Sequence, residues 1–197
     1  PDGKILVTTG HDGRVKLWDA ATGKQLHELT SHTGIVNAAA FFPDGKTLAT
    51  CSNDMTVRLW DPATGELKHT IETEHTEAVY ALTVSGDGKA LVSGSWDRTV
   101  KVWDAAGYDL KQTLRAKRYK EENNFPILSV AASPDGKLLA VSGEERAVKI
   151  LDAGTGAPVQ ILEGHEDMVA KVAFSPDGKA LASAGFDGTV KLWDPAT

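Results

Sequence analysis

The feature that most restricts how this chain can fold is a repeat. The tetrapeptide Pro-Asp-Gly-Lys begins at Pro1, Pro43, Pro134 and Pro176, and Gly-Asp-Gly-Lys begins at Gly86, with spacings of 42, 43, 48 and 42 residues. A second marker follows each copy: Leu-Trp-Asp ending at Asp19, Asp61 and Asp194, Val-Trp-Asp ending at Asp104, and Ile-Leu-Asp ending at Asp152. A period near 42 residues with no helical periodicity inside it means one supersecondary unit copied along the chain. Each copy must then bury its apolar surface against its neighbours.

The unit itself reads as four short strands. In the second copy these are VNAAAFF, TLATCS, TVRLW and ELKHTI, with turn sequences between them. TVRLW, and TVKVW in the third copy, are rich in β-branched and aromatic residues that alternate with period two. The Asp-Gly pairs supply the positive φ that tight turns need. A four-stranded meander cannot cover both of its own faces, so units stack, and radial stacking gives a β-propeller. The expected fold is all-β, a single domain over residues 1–197. It runs from the second strand of one unit to the third strand of another, 18 strands or four and a half blades.

One frame identifies the repeat type. Gly164-His165 before Trp193-Asp194, together with FSPDGKALASAGFDGTVKLWD from Phe174 to Asp194, resembles the WD-repeat β-propellers, and the resemblance extends through all five copies. It implies a seven-bladed ring, of which this chain would supply a part. A homodimer that pools strands into one ring is the alternative.

Comparison of the copies with one another isolates a polar set. His32, Thr50, Asp54 and Trp60 recur as His75, Ser93, Asp97 and Trp103, and again as His165, Ser183, Asp187 and Trp193. The intervals from His to Asp, 22, and from Asp to Trp, 6, are the same in all three sets. A chain of hydrogen bonds from indole through hydroxyl and imidazole to carboxylate demands such constancy, and the sets look like the structural tetrad of the family. In the fourth copy all four members change together, to Asn123, Val141, Glu145 and Leu151. Complete replacement avoids the buried orphans that a partial network would leave.

A hydroxyl, an imidazole and a carboxylate also compose a catalytic trio. Catalysis needs one specialised pocket with a free nucleophile and an oxyanion hole, whereas this set recurs blade after blade. No catalytic residue, metal site or cofactor is assigned. The six histidines lack ligand spacing, and the Asp-Gly turns lack the clustered oxygens of a calcium loop.

Composition narrows the partners. A net charge of −6 disfavours nucleic acid, whose phosphates call for a broad basic surface. No apolar run approaches the roughly 20 residues that span a bilayer, so no membrane partner is expected. The lone Cys51 has no disulfide partner within the chain, which points to a reducing, cytoplasmic setting. A protein or peptide remains as the partner class.

By resemblance, the PDGK turns lie on one face of the ring and the His and Asp turns on the other. The first face is nearly uniform between copies. The second varies, and on it the residue before each tetrad carboxylate is expected to point outward: His11, Asn53, Trp96, Glu144 and Phe186. So are the positions flanking the valine that opens the first strand, among them Ile35, Asn37, Tyr80 and Met168. Trp96, Tyr80, Phe186, Met168 and Ile35 have the residue character of binding hot spots. The fourth unit adds about five residues and the basic set Arg115, Lys117, Arg118 and Lys120 beside them, a solvated loop or an element that selects an acidic peptide. The expected function is a non-enzymatic interaction scaffold. The alternative is a sensory or regulatory module of a larger signalling enzyme or NTPase.

Overall fold

The computed structural model describes residues 1–115 and 126–195. Among the described residues the regular structure is entirely β, 18 strands in five antiparallel sheets. The first sheet has β1 (Ile5–Thr9), β2 (Val15–Asp19) and β3 (Gln25–Leu29). The second has β4 (Val36–Phe41), β5 (Leu48–Ser52), β6 (Thr56–Trp60) and β7 (Leu67–Glu72). The third has β8 (Val79–Val84), β9 (Ala90–Ser95), β10 (Thr99–Asp104) and β11 (Leu110–Arg115). The fourth has β12 (Ile127–Ala132), β13 (Leu138–Gly143), β14 (Glu145–Asp152) and β15 (Pro158–Glu163). The fifth has β16 (Val169–Phe174), β17 (Leu181–Gly185) and β18 (Val190–Trp193). Strands pair in chain order within each sheet, and β4, β8, β12 and β16 neighbour one another in turn. The result is a partial β-propeller whose inner wall is the first strand of each complete unit.

The period-two alternation in the third strand of each unit decides how blades stack. Val57 and Leu59 on β6 point toward the third blade, where they meet Val79, Leu82 and Leu91. Trp60 points the other way and packs with Val15, Leu17 and Leu29 of the first blade. The same arrangement joins blades three and four through Val100, Val102 and Leu139, and blades four and five through Val148, Ile150 and Leu181. Each fully buried aliphatic side chain contributes roughly 1.5–3 kcal/mol, against about 1 kcal/mol net for a turn hydrogen bond. Stacking between blades therefore dominates the stability, and the turns set register.

The PDGK turns are held by their own aspartates. Asp44 Oδ1 accepts the amide of Lys46 at 2.9 Å, Asp87 that of Lys89 at 3.0 Å and Asp135 that of Lys137 at 3.1 Å. Successive turns also touch across blades, which explains the one departure from proline. A Cβ on Gly86 would lie 2.2 Å from the carbonyl oxygen of Pro134. No side chain fits there, so the third copy reads Gly-Asp-Gly-Lys.

Candidate functional site

The structure brings each of the three polar sets together. Trp60 Nε1 donates to Thr50 Oγ1 at 2.9 Å, that hydroxyl lies 2.8 Å from His32 Nε2, and His32 Nδ1 lies 2.8 Å from Asp54 Oδ2. In the third blade the distances from Trp103 through Ser93 and His75 to Asp97 are 3.0, 2.9 and 2.8 Å. In the fifth, from Trp193 through Ser183 and His165 to Asp187, they are 2.8, 2.7 and 2.8 Å. An indole N–H can only donate and a carboxylate can only accept, so the protons run one way. The hydroxyl donates to Nε2, and Nδ1–H donates to the carboxylate.

Three further donors, not singled out from the sequence, complete each carboxylate: the amides of Thr56, Thr99 and Thr189 reach one oxygen at 2.9–3.0 Å, and two more follow. The hydroxyls of Thr56, Thr99 and Thr189 bond to Asp54, Asp97 and Asp187 at 2.7, 2.6 and 2.7 Å. The backbone amides of Thr33, Thr76 and Glu166 reach the other oxygen. The sequence signal is Asp-x-Thr-Val, read first as a strand opening. Burial pushes the carboxyls of Asp54 and Asp97 up, but hydrogen bonds from His32 and Thr56, and from His75 and Thr99, hold both well below the usual range. Asp187 is held low chiefly by Thr189. The first blade keeps a shorter form, in which Trp18 Nε1 donates to Thr8 Oγ1 at 2.9 Å. Thr8, Asp12 and Trp18 stand at the same intervals as Thr50, Asp54 and Trp60.

This connectivity matches that of a hydrolytic triad, and its surroundings decide against nucleophilic work. Thr50 and Ser93 are wholly buried, Ser183 is 1% exposed, and an indole N–H occupies the oxygen of each. Among the described residues no cluster of three or more His, Cys, Asp or Glu is placed to hold a metal ion, and no helix is long and apolar enough to cross a membrane. Burial pushes the Cys51 thiol up to about 12, which removes it as a nucleophile.

In the fourth blade two of the replaced positions, Val141 and Leu151, pack instead of bonding. Val141 and Leu151 are buried against Val100, Val102 and Leu114 of the third blade, and Ala147 stands where the threonine would be. The carboxylate survives as Glu145, 3.0 Å from Lys149. Asn123, Lys117, Arg118 and Lys120 lie outside the described residues, while Arg115 ends β11 with its side chain exposed.

The face carrying the Asp turns displays the remaining candidates in pairs, blade by blade. Trp96, 44% exposed, stacks on half-buried Tyr80 with ring centroids 4.9 Å apart and planes 10° from parallel. Phe186 is 62% exposed, and its amide bonds to the carbonyl of half-buried Met168 at 2.9 Å. Asn53 bonds through its amide to the carbonyl of Ile35 at 2.9 Å, and its side-chain oxygen accepts from Asn37 at 2.7 Å. Asn37 also donates to the carbonyl of Val79, so it ties blade two to blade three. His11 and Glu144 are exposed and Ile35 is half-buried.

The residue after each tetrad carboxylate was not among the sequence candidates. It is glycine in two copies, Gly13 and Gly188, both at φ 77°. Met55 and Arg98 hold the same left-handed turn at φ 66° and 71°. A non-glycine residue there costs roughly 1–2 kcal/mol. Both side chains are exposed, and Arg98 stands two residues from Trp96.

Comparison with known proteins follows the blades one by one. The family model for the WD domain, G-beta repeat, matches residues 1–19, 23–61, 65–104, 112–152 and 156–194. The chain is a WD-repeat protein. WD-repeat domains generally mediate protein–protein interaction, as typically non-catalytic scaffolds. No curated protein matches this WD-repeat chain.

Proposed function

We propose that the chain is a non-enzymatic scaffold that binds a protein or peptide on the face carrying the His and Asp turns, in a reducing, cytoplasmic setting. One observation carries the reading: Trp96 lies 44% exposed and stacked on Tyr80. An exposed tryptophan backed by a second ring offers a large contact area with few rotamers to freeze, the property that concentrates binding energy. Left-handed Arg98 and Met55 support the same face, because strain retained in exposed loop residues points to a use for their side chains. The Ser–His–Asp connectivity does not favour catalysis, since each hydroxyl is buried and already bonded to an indole.

A displayed peptide library selected on the whole chain tests the proposal. Selected peptides should lose roughly tenfold or more in affinity for Trp96→Ala and Phe186→Ala, the truncation loss of a hot spot. They should bind Lys137→Ala, on the opposite face, unchanged. Thermal melting of Trp96→Ala should stay within about 2 °C of the parent, as a surface substitution of a few tenths of a kcal/mol implies. Peptides that tolerate Trp96→Ala but lose to Lys137→Ala, or a collapse of the melting temperature, would remove this face from consideration.

A further inference from the structure

We infer that the peptide bound on this face is basic: an extended segment crossing blades three to five, with a lysine or arginine over Glu144 and an apolar side chain to either side, over Trp96 and over Phe186. The inference rests on the reading of that face as the docking surface and adds the chemistry of the partner. Four equivalent corners carry it. In blades two to five the amide of the residue before the turn carboxylate donates to the carbonyl of the residue before the first strand. The bonds run from Asn53 to Ile35 at 2.9 Å, Trp96 to Ala78 at 3.1 Å, Glu144 to Pro126 at 3.4 Å and Phe186 to Met168 at 2.9 Å. One type of bond thus fixes these residues at the same place on successive blades.

Around the rim, blades three, four and five therefore present tryptophan, glutamate and phenylalanine, all exposed. The carboxylate stands between two aromatic contacts, which shield an ion pair formed there from water and raise it above the small value of a fully solvated pair. Glu145 beside it is half-buried against Lys149, 3.0 Å away, and Glu144 is left exposed. The surroundings have the same sign. In the loops and turns bordering these corners Glu74, Glu77, Glu166 and Asp167 are also exposed, against Arg98 and Arg146. Residues 116–125 add three basic and two acidic side chains by sequence, which does not reverse the balance. An acidic peptide, the class suggested by the basic run after β11, would meet an excess of like charge here. Packed sheets lie about 10 Å apart and an extended chain advances about 3.3 Å per residue, so neighbouring corners are about three residues apart along the bound segment.

Random peptides of about 12 residues, long enough to span the three corners, are displayed and selected on the whole chain, and fluorescence polarisation of synthetic copies reads their affinity. Selected sequences should carry a lysine or arginine with an apolar residue about three positions to either side. Glu144→Lys should weaken them roughly tenfold or more by setting like charges together, and Glu144→Gln by less. A copy with glutamate at the basic position should recover on Glu144→Lys what it loses on the parent. Both variants should keep the parent's far-UV circular dichroism, since Glu144 is exposed. Peptides that lose affinity for Trp96→Ala and Phe186→Ala yet bind Glu144→Lys as they bind the parent, or that are acidic, would overturn the basic partner and leave the docking face standing. Peptides indifferent to Trp96→Ala and Phe186→Ala would remove the face itself, and this inference with it.

Discussion

Replacing Ser93 with alanine separates a structural network from a catalytic one. Ser93 Oγ accepts from Trp103 Nε1 at 3.0 Å and donates to His75 Nε2 at 2.9 Å, with the serine wholly buried and the histidine 5% exposed. Ser93→Ala leaves two buried polar groups without partners. At about 1–3 kcal/mol for each orphan, the loss should fall at about 2–6 kcal/mol, a large share of the 5–15 kcal/mol that holds a typical domain together. A second substitution makes the reasoning sharper. Trp103→Phe removes the indole donor, so in the Ser93→Ala/Trp103→Phe double variant one orphan disappears. The double should then cost at least about 1 kcal/mol less than the sum of the singles. Urea denaturation followed by far-UV circular dichroism, at one fixed protein concentration, measures all three. A loss below about 0.5 kcal/mol for Ser93→Ala, with an additive cycle, would refute the network account, because distant independent sites behave that way.

Three other outcomes follow from particular contacts. Gly86→Ala should destabilise by about 1–3 kcal/mol through the clash with the Pro134 carbonyl, while Gly154→Ala, whose Cβ would meet nothing nearer than 3.5 Å, should be neutral or better in the same denaturation assay. Leu151→Trp restores the residue of the other blades yet should destabilise by roughly 2–4 kcal/mol, because its N–H would face Val141, which cannot accept; adding Val141→Ser should recover part of the loss. Stability should hold above the ordinary carboxylate pKa of about 3.9 and fall as pH drops below it, because the unfolded chain takes up protons that folded Asp54, Asp97 and Asp187 refuse. Asp97→Asn should flatten that fall in an acid titration followed by circular dichroism.

Much of this architecture was legible because the chain carries its own comparison set. Five copies expose the 42-residue period, and strands such as TVRLW announce themselves by alternation, so the sheet count could be read before any coordinates. The members of each polar set stood out through constant intervals. Thr56, Thr99 and Thr189 escaped notice for a physical reason: a β-branched residue opening a strand needs no further explanation, and its second duty as a carboxylate donor shows only in three dimensions. The glycine at position 86, where the other copies have proline, had no explanation in the sequence alone. Its real constraint is a neighbouring blade 2.2 Å from where a Cβ would sit. Tyr108 is a similar case, taking φ 61° where other copies use Gly23, Gly65 and Gly156, and stacking on His69 of the preceding blade at 5.0 Å.

The fourth blade shows why the polar set changes as a whole. Each member bonds to the next, so any single replacement strands a buried donor or acceptor, and intermediates between the two solutions are worse than either. Val141, Ala147 and Leu151 solve the problem by burying only carbon, and Val141 and Leu151 pack against the third-blade aliphatics Val100, Val102 and Leu114. What survives is a carboxylate, Glu145, and it survives with a cation 3.0 Å away. The equivalent cation beside the second-blade tetrad, Arg58, stands 4.0 Å from Asp54. Where the tetrad blades give the carboxylate an imidazole N–H, the fourth gives it a lysine of the third strand. The stacking contacts between blades are common to both solutions, so the propeller tolerates either.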